Sequence, residues 1–273
     1  FFKGFGLFKN RRQVYKGVNI IRVPIIPRGR ANSLRLLLNY FSFALIASFL
    51  GPLWCHQKYD VIFVHEPSPI TVGLPAIIMK YLKSAPIIFW VLDLWPETLK
   101  AVGVVKSDMV LELTGLFVKF IYSQCDRILI QSKMFRSSIE RYGIASDIIK
   151  YFPNCAENIF IADVQSDNLN NKYKLPDGFC IMFAGNIGFA QDFETILATA
   201  ESLKDKEDIH WIILGEGRKY FWVKKEIERR DLSKNVHLLG RHPIEEMPFY
   251  FSKADVMLVT LKRDPVFALT IPA

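Results

Sequence analysis

Short apolar runs alternate with segments of helical periodicity along the first 160 or so residues of the chain. The runs have the length and continuous hydrophobicity of strands buried on both faces, and they cover 18–26, 60–65, 86–93 and 127–131. Helices are predicted between them within the segment Ser33–Trp54, at 71–83 and 107–123, and after Ser132 as far as Gly143. Buried strands that alternate with helices predict a parallel sheet covered on both sides.

A polar stretch at 162–178 interrupts this alternation and is predicted to link two domains. After it, strand-like runs resume at 179–185, 209–215, 236–240 and 255–261, with helical segments at 192–204, 219–230 and 244–252. The prediction is an α/β chain with one Rossmann-like domain over 1–161 and a second over 179–273. Because the chain starts without Met and its last domain stops early, we expect a fragment that lacks both ends and is inactive by itself.

The most apolar segment is Ser33–Trp54, which carries no charge from Leu36 onwards. Its length approaches the ~20 residues that span a bilayer. If the strands at 18–26 and 60–65 share one parallel sheet, this segment is the crossover helix between them and does not span. We expect Gly51-Pro52 to stop the helix. Two alternatives stay open, a wholly buried helix and a helix that lies in a membrane interface.

Charge is concentrated just before this helix. Residues 1–35 contain nine Lys and Arg and no acid, whereas the other 238 residues hold 26 basic and 27 acidic side chains. A basic run beside an apolar helix is typical of a surface that faces anionic lipid, so peripheral contact with an anionic membrane through 1–54 is expected. No recognition motif for nucleic acid accompanies the charge, and no nucleic-acid partner is predicted.

Cysteine and acidic patterns exclude several kinds of site. The four cysteines form no CxxC pair, which favours a reduced, cytoplasmic setting, either free or on the inner face of the plasma membrane. There is no DxD pair, so no metal is expected to bridge a diphosphate, and no other cofactor is predicted. The nucleophile-elbow and P-loop motifs are also absent from the sequence.

Glycines follow two adjacent strands of the second domain, in the loops "GNIGFAQ" (185–191) and "GEG" (215–217). Gly185 and Gly188 precede a helix, and Gly215 and Gly217 repeat the arrangement one strand later. Glycines allow a phosphate to approach the backbone, and a helix N-terminus offers free N–H groups. One such loop by itself cannot be told from an ordinary βα turn. Two of them in adjacent βα units favour a binding site for a nucleotide diphosphate.

In the first domain, polar residues follow the strands in "HEPSP" (65–69) and "DLWPET" (93–98). Asp93 and Glu97 are placed to orient sugar hydroxyls, and Trp95 to stack on a sugar face. Paired carboxylates also suit glycoside hydrolysis, and a capped helix N-terminus explains them equally well. His65 and Glu66 are expected at the same edge, since ligands bind beyond the carboxyl ends of parallel strands.

These motifs together resemble family 4 of the glycosyltransferases, enzymes with the GT-B fold of two Rossmann-like domains facing a cleft. The similarity is greatest to bacterial fucosyl- and N-acetyl-L-fucosamine-transferases of capsule, O-antigen and colanic acid synthesis. Stretches that match in order and spacing include "YDVIFVHEPSPITVGLPA", "FWVLDLWPETL", "FAGNIGFAQDF", "LGEGRKY" and "ADVMLVTL". Both domains are incomplete by this comparison.

The resemblance implies transfer of a sugar from a nucleotide donor to a polyprenyl-diphosphate-linked glycan, with retention at the anomeric carbon and no metal. It implies that the second domain binds the donor, through Gly185, Asn186, Gly188, Gln191, Gly215, Gly217, Arg241 and His242. It also implies that the first domain holds the acceptor, with His65, Asp93 and Glu97 catalytic and Glu66 and Trp95 binding the acceptor.

The chain departs from this family at charged positions. Where many members have Arg and Lys on the second-domain glycine loop, this sequence has Asn186 and Gln191. Lys262 and Arg263 are therefore predicted to supply the charge that neutralises the diphosphate. Leu92 replaces the histidine that often precedes Asp93. Two other functions stay open, a nucleotide-sugar epimerase of the same fold and a non-catalytic binding module.

Overall fold

A computed structural model describes residues 6, 9–27, 33–103, 105–161 and 175–272. The chain forms two compact units. The N-terminal unit contains residues 1–154 and 268–271, and the C-terminal unit contains most of the remainder from Cys155 to Phe267. Most of the predicted linker, residues 162–174, lies outside the described residues.

The N-terminal unit is built on a four-stranded parallel sheet in the order β3-β4-β5-β6. A separate antiparallel hairpin, β1-β2, precedes it. The strands are β1 Arg12–Tyr15, β2 Val18–Ile21, β3 Ile62–Glu66, β4 Ile87–Val91, β5 Arg127–Ile130 and β6 Ile149–Tyr151. The helices are α1 Ser33–Trp54, α2 Gly73–Lys83, α3 Glu97–Ala101, α4 Asp108–Ser123 and α5 Phe135–Glu140. The strands predicted at 60–65, 86–93 and 127–131 are present in the sheet, and the short strand β6 is additional.

The predicted strand at 18–26 is wrong in its extent and its partner. Only Val18–Ile21 is a strand, and it pairs with β1 rather than with β3. Pro24 and Pro27 interrupt the run, and proline cannot donate to a sheet ladder. A groove of about 800 Å³ is lined by residues of the segment after β2 and by Ile62 and Val64 of β3. The argument that α1 connects two strands of one sheet therefore fails.

Helix α1 also extends further than predicted, because Gly51-Pro52 does not stop it. Proline removes one backbone hydrogen bond, but the next one forms, from the Cys55 N–H to the Gly51 carbonyl at 2.8 Å. The helix packs along α2. By length and composition, Leu34–Trp54 is long and apolar enough to cross a membrane. The packing against α2 nevertheless places one side of α1 on a folded α/β unit.

The polar side chains of α1 face inwards and the apolar ones outwards. Asn39 and Ser42 are buried, and both bind the backbone of Ile26. Asn39 Nδ2 donates to the Ile26 carbonyl at 2.6 Å, and the Ile26 N–H donates to Ser42 Oγ at 3.0 Å. The opposite side carries large apolar residues that are 48–72% exposed. We call this set the outer stripe of α1: Leu34, Leu37, Phe41, Leu45, Phe49 and Leu53.

The C-terminal unit has a second parallel sheet, in the order β10-β7-β8-β9. Its strands are β7 Phe179–Ala184, β8 Ile209–Leu214, β9 Val236–Gly240 and β10 Val256–Met257. Its helices are α6 Phe193–Ser202, α7 Tyr220–Arg229 and α8 Met247–Ser252. The strand predicted at 255–261 is reduced to two paired residues. The other predicted strands and helices of this unit are present within a few residues of their predicted bounds.

Candidate active site

Asp93 lies just beyond the carboxyl end of β4, where a set of donors surrounds its carboxylate. Trp95 Nε1 is 3.3 Å from Asp93 Oδ2 and 3.2 Å from Ser68 Oγ. Burial raises the pKa of Asp93, and hydrogen bonds from the side chains of Thr98, Trp95 and Ser68 and from the Leu94 N–H partly oppose this rise. The carboxylate is thus half-buried, oriented, and held by neutral donors.

Trp95 does not have the exposure that stacking on a sugar would need. Its side chain belongs to the core and is 9% exposed, and its ring meets Tyr40 of α1 edge-on at 6.4 Å. Its indole N–H points instead at Asp93 and Ser68. The prediction that Trp95 contacts the acceptor is therefore corrected, because the structure makes it a positioning residue for Asp93.

Glu66 is likewise not at the surface. Side chains alternate along a strand, so His65 and Glu66 at the end of β3 point to opposite faces of the sheet. Glu66 is fully buried, and no side chain of the described residues forms a hydrogen bond with its carboxylate. Burial raises its pKa well above 4.5, the nearby charge of Asp93 adds to the rise, and the backbone N–H groups of Asp93 and Leu92 oppose it in part. The predicted contact of Glu66 with an acceptor does not fit this position.

Tyr122 and Thr71 share this environment. The Tyr122 hydroxyl, on α4, and Thr71 Oγ1 are both buried without a hydrogen-bond partner in the described structure. Burial and then the neighbouring Glu66 raise the pKa of Tyr122. Burial therefore disfavours the charged forms of the polar groups beside Asp93.

His65 is exposed on the other face of the sheet, where its ring lies 5.3 Å from the ring of Trp90. Trp90 in turn contacts Phe152 at 5.1 Å and donates from Nε1 to its carbonyl at 3.1 Å. The His65 ring is accessible to a ligand, as its predicted catalytic role requires. That role stays a prediction.

Glu97 begins α3, and its carboxylate pairs with the guanidinium of Arg141. Both residues line a cavity of about 530 Å³ together with Asp108, Glu112 and Tyr142. Unlike Asp93, Glu97 is therefore held by a permanent charged partner within its own unit. The structure supports the helix-start interpretation of this residue more than the catalytic one.

Two polar side chains that the sequence did not single out hold the strand ends together. Gln131 Nε2 donates to the Leu92 carbonyl at 2.8 Å, and Asn154 Nδ2 donates to Gln131 Oε1 at 2.9 Å. Gln131 is buried directly after β5, and Asn154 follows β6. In the sequence, the polar residue at the end of an apolar strand was the feature that could have indicated Gln131. The pair fixes the backbone just before Asp93.

In the C-terminal unit the two glycine loops touch each other. The Gly185 N–H donates to the Leu214 carbonyl at 3.0 Å, and the Gly215 N–H donates to the Gly240 carbonyl at 2.7 Å. A Cβ on Gly215 would lie 1.8 Å from the Gly185 carbonyl oxygen, and one on Gly217 would lie 2.3 Å from that of Ile187. Both glycines are therefore required for the loops to approach this closely.

The first glycine loop is folded on itself by its own side chains. Gln191 Oε1 accepts from the Gly188 N–H at 3.2 Å, and a Cβ on Gly188 would meet Asn186 Nδ2 at 2.5 Å. Gly185 and Asn186 are exposed, whereas Gly188 is buried. The part of the loop that is open to a ligand is thus its beginning.

Lysine side chains lie beside this loop. The Lys262 N–H donates to the Ala190 carbonyl at 2.7 Å, which joins the segment after β10 to the loop. Lys219, which the sequence analysis did not single out, donates to Glu194 at 2.8 Å, and its N–H donates to the Ile187 carbonyl at 2.9 Å. Lys219 and then Lys262 lower the pKa of Glu194. The run "GEGRKY" contained the signal, since Lys219 follows the second glycine loop.

The remaining predicted donor residues differ in exposure. His242 is largely enclosed: its Nδ1 lies 3.1 Å from Glu246 Oε2, and its ring lies 4.8 Å from that of Tyr250. Arg241 and Arg263 are exposed, and Lys262 is half-buried. No group of three or more His, Cys, Asp or Glu that is close enough to hold a metal occurs in the described ranges.

Comparison with known proteins gives one family match, for residues 165–271, to the family described as glycosyl transferases group 1. Two curated relatives align. WcaI of Escherichia coli (strain K12), named for glycosyl transfer in colanic acid biosynthesis, is 26% identical over 89% of this chain and 60% of its own length. WbjE of Pseudomonas aeruginosa, named as a glycosyltransferase, is 27% identical over 67% of this chain and 47% of its own. The chain therefore spans about half to three-fifths of these relatives.

Solved structures show the same fold. Sucrose-phosphate synthase from Thermosynechococcus elongatus aligns over 92% of this chain and 62% of its own, with 16% identity and a TM-score of 0.65. Alr3699/HepE of Anabaena, in complex with UDP and glucose, aligns over 88% of this chain and 61% of its own, with 15% identity and a TM-score of 0.63. The predicted fold class, α/β of the GT-B type, is confirmed.

Proposed function

We propose, from the match of residues 165–271 to the glycosyl transferases group 1, that the protein transfers a sugar from a nucleotide donor to a glycan acceptor. The C-terminal unit would bind the donor and the N-terminal unit the acceptor. Since the chain covers only part of its relatives, the activity is a proposal for the whole protein.

The observation that carries this proposal is the contact between the two glycine loops. With Gly215 and Gly217 packed on the backbone of Gly185 and Ile187, the ends of β7 and β8 present closely packed backbone, and within 185–188 and 215–217 only Asn186 and Glu216 have exposed side chains. A diphosphate needs such a surface, because its oxygens must reach backbone N–H groups. The similarity of the fold to a protein solved with UDP and glucose supports a nucleoside diphosphate sugar as the donor.

Lysine supplies the positive charge that the first glycine loop lacks. When the sugar leaves, negative charge grows on the diphosphate, and a nearby cation stabilises the transition state more than the ground state. Lys262 is attached to the loop at Ala190, and Lys219 lies beside it, paired with Glu194. In our proposal Lys262 and Lys219 together neutralise the leaving diphosphate, and Glu194 is the counter-ion of Lys219 when no donor is bound.

Asp93 is proposed as the catalytic carboxylate of the acceptor side. In the reaction, an acceptor hydroxyl oxygen bonds to the anomeric carbon while the bond to the diphosphate breaks; the diphosphate leaves with the electron pair, and the hydroxyl proton passes to the Asp93 carboxylate. A carboxylate held by Trp95 and Ser68 is suited to accept a hydrogen bond from that hydroxyl and to stabilise the cationic sugar ring. Retention at the anomeric carbon is part of this proposal.

The acceptor is proposed to be a glycan linked to polyprenyl diphosphate, in surface polysaccharide synthesis. The name of WcaI, which refers to colanic acid biosynthesis, supports this acceptor class. The region 1–54 supports a peripheral location on an anionic membrane. It combines the outer stripe of α1 with the hairpin β1-β2, in which Val14 and Val18 are exposed on either side of Lys16.

A donor panel tests the proposal. The native protein, with any flanking segments of its gene product, is incubated with UDP-, GDP-, CMP- and dTDP-sugars and a polyprenyl-diphosphate oligosaccharide. We expect transfer from one donor and a loss of about tenfold or more with Asp93→Asn. Asp60→Asn, which changes an exposed acid of the same unit, is the matched control. Equal transfer by wild type and a folded Asp93→Asn variant would refute the role of Asp93.

The same assay separates the alternatives. Accumulation of free sugar without a glycan product, from any of the donors, would indicate an epimerase or hydrolase and refute transfer. Absence of binding to every nucleotide by calorimetry would favour a non-catalytic module. If the donor site is as proposed, Lys219→Met weakens nucleotide binding about tenfold, and the exposed Phe221→Ser variant of the same unit leaves it unchanged.

A further inference from the structure

Helix α4 carries an exposed apolar stripe of its own. Met109, Leu113, Leu116 and Phe120 recur at intervals of four, three and four residues, so they lie on one side of the helix, and they are 47–67% exposed. The opposite side, with Val118, Ile121 and Tyr122, is buried in the core of the N-terminal unit. Single exposed apolar residues are ordinary, whereas a whole stripe on a helix marks a surface that contacts another body.

Helix α2 connects this stripe with the outer stripe of α1. It packs along α1 on one side and contacts α4 on the other, so the three helices form one layer. Its own exposed residues include Tyr81 and Leu82, which are 67% and 62% exposed. The Tyr81 hydroxyl donates to Gln124 Oε1, at the end of α4, at 2.6 Å. The apolar surface therefore continues from α1 across α2 to α4.

Basic groups border this surface. Arg35 is exposed in the first turn of α1, and at the other end the Arg11 guanidinium lies over the ring of Trp54 at 5.2 Å. Lys16 of the hairpin and Lys119 of α4 are exposed as well. Helix α1 contains no acid.

Helix α4 itself has two acids and one base, Lys119. Asp108, in its first turn, lies 3.7 Å from Lys100 Nζ, and Glu112 is exposed. An apolar area with a predominantly basic border matches the chemistry of an anionic bilayer, with acyl chains beneath a layer of phosphates.

We propose that the outer surface of the α1-α2-α4 layer docks as a whole on an anionic lipid bilayer. This inference rests on the membrane contact proposed for 1–54 and deepens it, because it assigns α2 and α4 to the same surface. Docking through three neighbouring helices fixes the orientation of the unit, with the sheet parallel to the membrane. The edge that carries Asp93 then opens sideways along the bilayer, within reach of a lipid-linked acceptor.

Vesicle flotation tests the docking surface. The native protein is mixed with vesicles of phosphatidylcholine and phosphatidylglycerol (about 7:3) or of phosphatidylcholine alone, and centrifuged in a density gradient. We expect flotation with the anionic vesicles, and a loss of affinity of about tenfold or more in the α4 variant Leu113→Ser/Leu116→Ser. Leu45→Ser/Phe49→Ser tests α1, and Phe221→Ser is the control from the C-terminal unit. Melting temperatures confirm that each variant is folded.

The outcomes distinguish the two proposals. If the α1 variant loses binding and the α4 variant floats like the wild type, the three-helix surface is refuted while contact through 1–54 stands. If the wild type stays at the bottom with every vesicle, both fail. If size-exclusion chromatography shows a dimer that the α4 variant converts to a monomer, and no vesicle binding occurs, a second copy of the chain covers the face and the lipid proposal is overturned.

Discussion

Replacing Gly215 by alanine is the most direct perturbation of the proposed donor site. The residue has a φ of +135°, and an added Cβ would lie 1.8 Å from the Gly185 carbonyl oxygen. To restore even a tight contact of 3.0 Å, the two loops would have to separate by about 1.2 Å. Gly240 is the matched control, because it ends the next strand with a φ of +76° and its Cβ would meet nothing closer than 3.9 Å.

The expected cost has two parts. Alanine in the left-handed region costs about 1–2 kcal/mol, and both variants carry at least this cost. Forcing an extra carbon into a filled space costs about 1–3 kcal/mol more, which applies to Gly215→Ala alone. The difference of about 2 kcal/mol between the variants corresponds to roughly 5–10 °C in melting temperature for a unit of this size.

Thermal unfolding followed by calorimetry measures this difference, and nucleotide titration measures the consequence for the site. We expect Gly215→Ala to melt below Gly240→Ala and to lose nucleotide binding at least about tenfold, because the loops no longer meet. Equal melting temperatures for the two variants would show that the loops separate without cost. The close contact would then not be what shapes the site.

Three further predictions concern the N-terminal unit. Glu66 holds its proton in the folded state to a higher pH than in the unfolded state, so its contribution to stability is complete below about pH 4.5 and declines as the pH rises. Glu66→Gln should therefore gain on the wild type by about 1.4 kcal/mol per pH unit above pH 4.5, until the folded pKa is reached, and a constant difference in urea titrations would contradict this. Trp95→Phe removes a hydrogen-bond donor that lowers the pKa of Asp93, so the acid limb of the pH–rate profile should move to higher pH. An unchanged limb would mean that this hydrogen bond has no effect on the pKa of Asp93. Gly115→Ala, inside α4 where the added Cβ would meet nothing closer than 3.7 Å, should stabilise by about 0.5–1 kcal/mol in the same titrations, and no gain would contradict the helix-propensity argument.

The sequence predicted the order of strands and helices well, because continuous apolar runs and helical periodicity are local signals. The sequence was less informative where the role of a residue depends on the face of the sheet to which its side chain points. His65 and Glu66 are adjacent in sequence, and only the pairing of β3 with β4 shows that one is exposed and the other buried. The hairpin partner of β2 was missed because its residues, Arg12–Tyr15, are largely polar and lack an apolar run.

The candidate site was partly predictable for the same reason. The glycines of the second domain were recognised by type and position, and the structure adds that their loops touch. Lys219 was overlooked because its nearness to Glu194, 25 residues away, depends on the packing of two βα units. Trp95 was assigned to the wrong task because burial is not visible in a motif. Pairings between distant segments are what the one-dimensional pattern lacks.

The inward-facing polar residues of α1 have a consequence for whether its apolar side can be covered. Asn39 and Ser42 form hydrogen bonds with the backbone of Ile26, so the helix cannot rotate about its axis to bury its exposed leucines without breaking both of them. Proteins that bind membranes reversibly usually have a second conformation in which the apolar membrane-binding surface is covered. In the docking that we propose, the hydrogen bonds to Ile26 would keep the outer stripe of α1 exposed, so attachment would be constitutive and a purified sample would need detergent or lipid to stay dispersed.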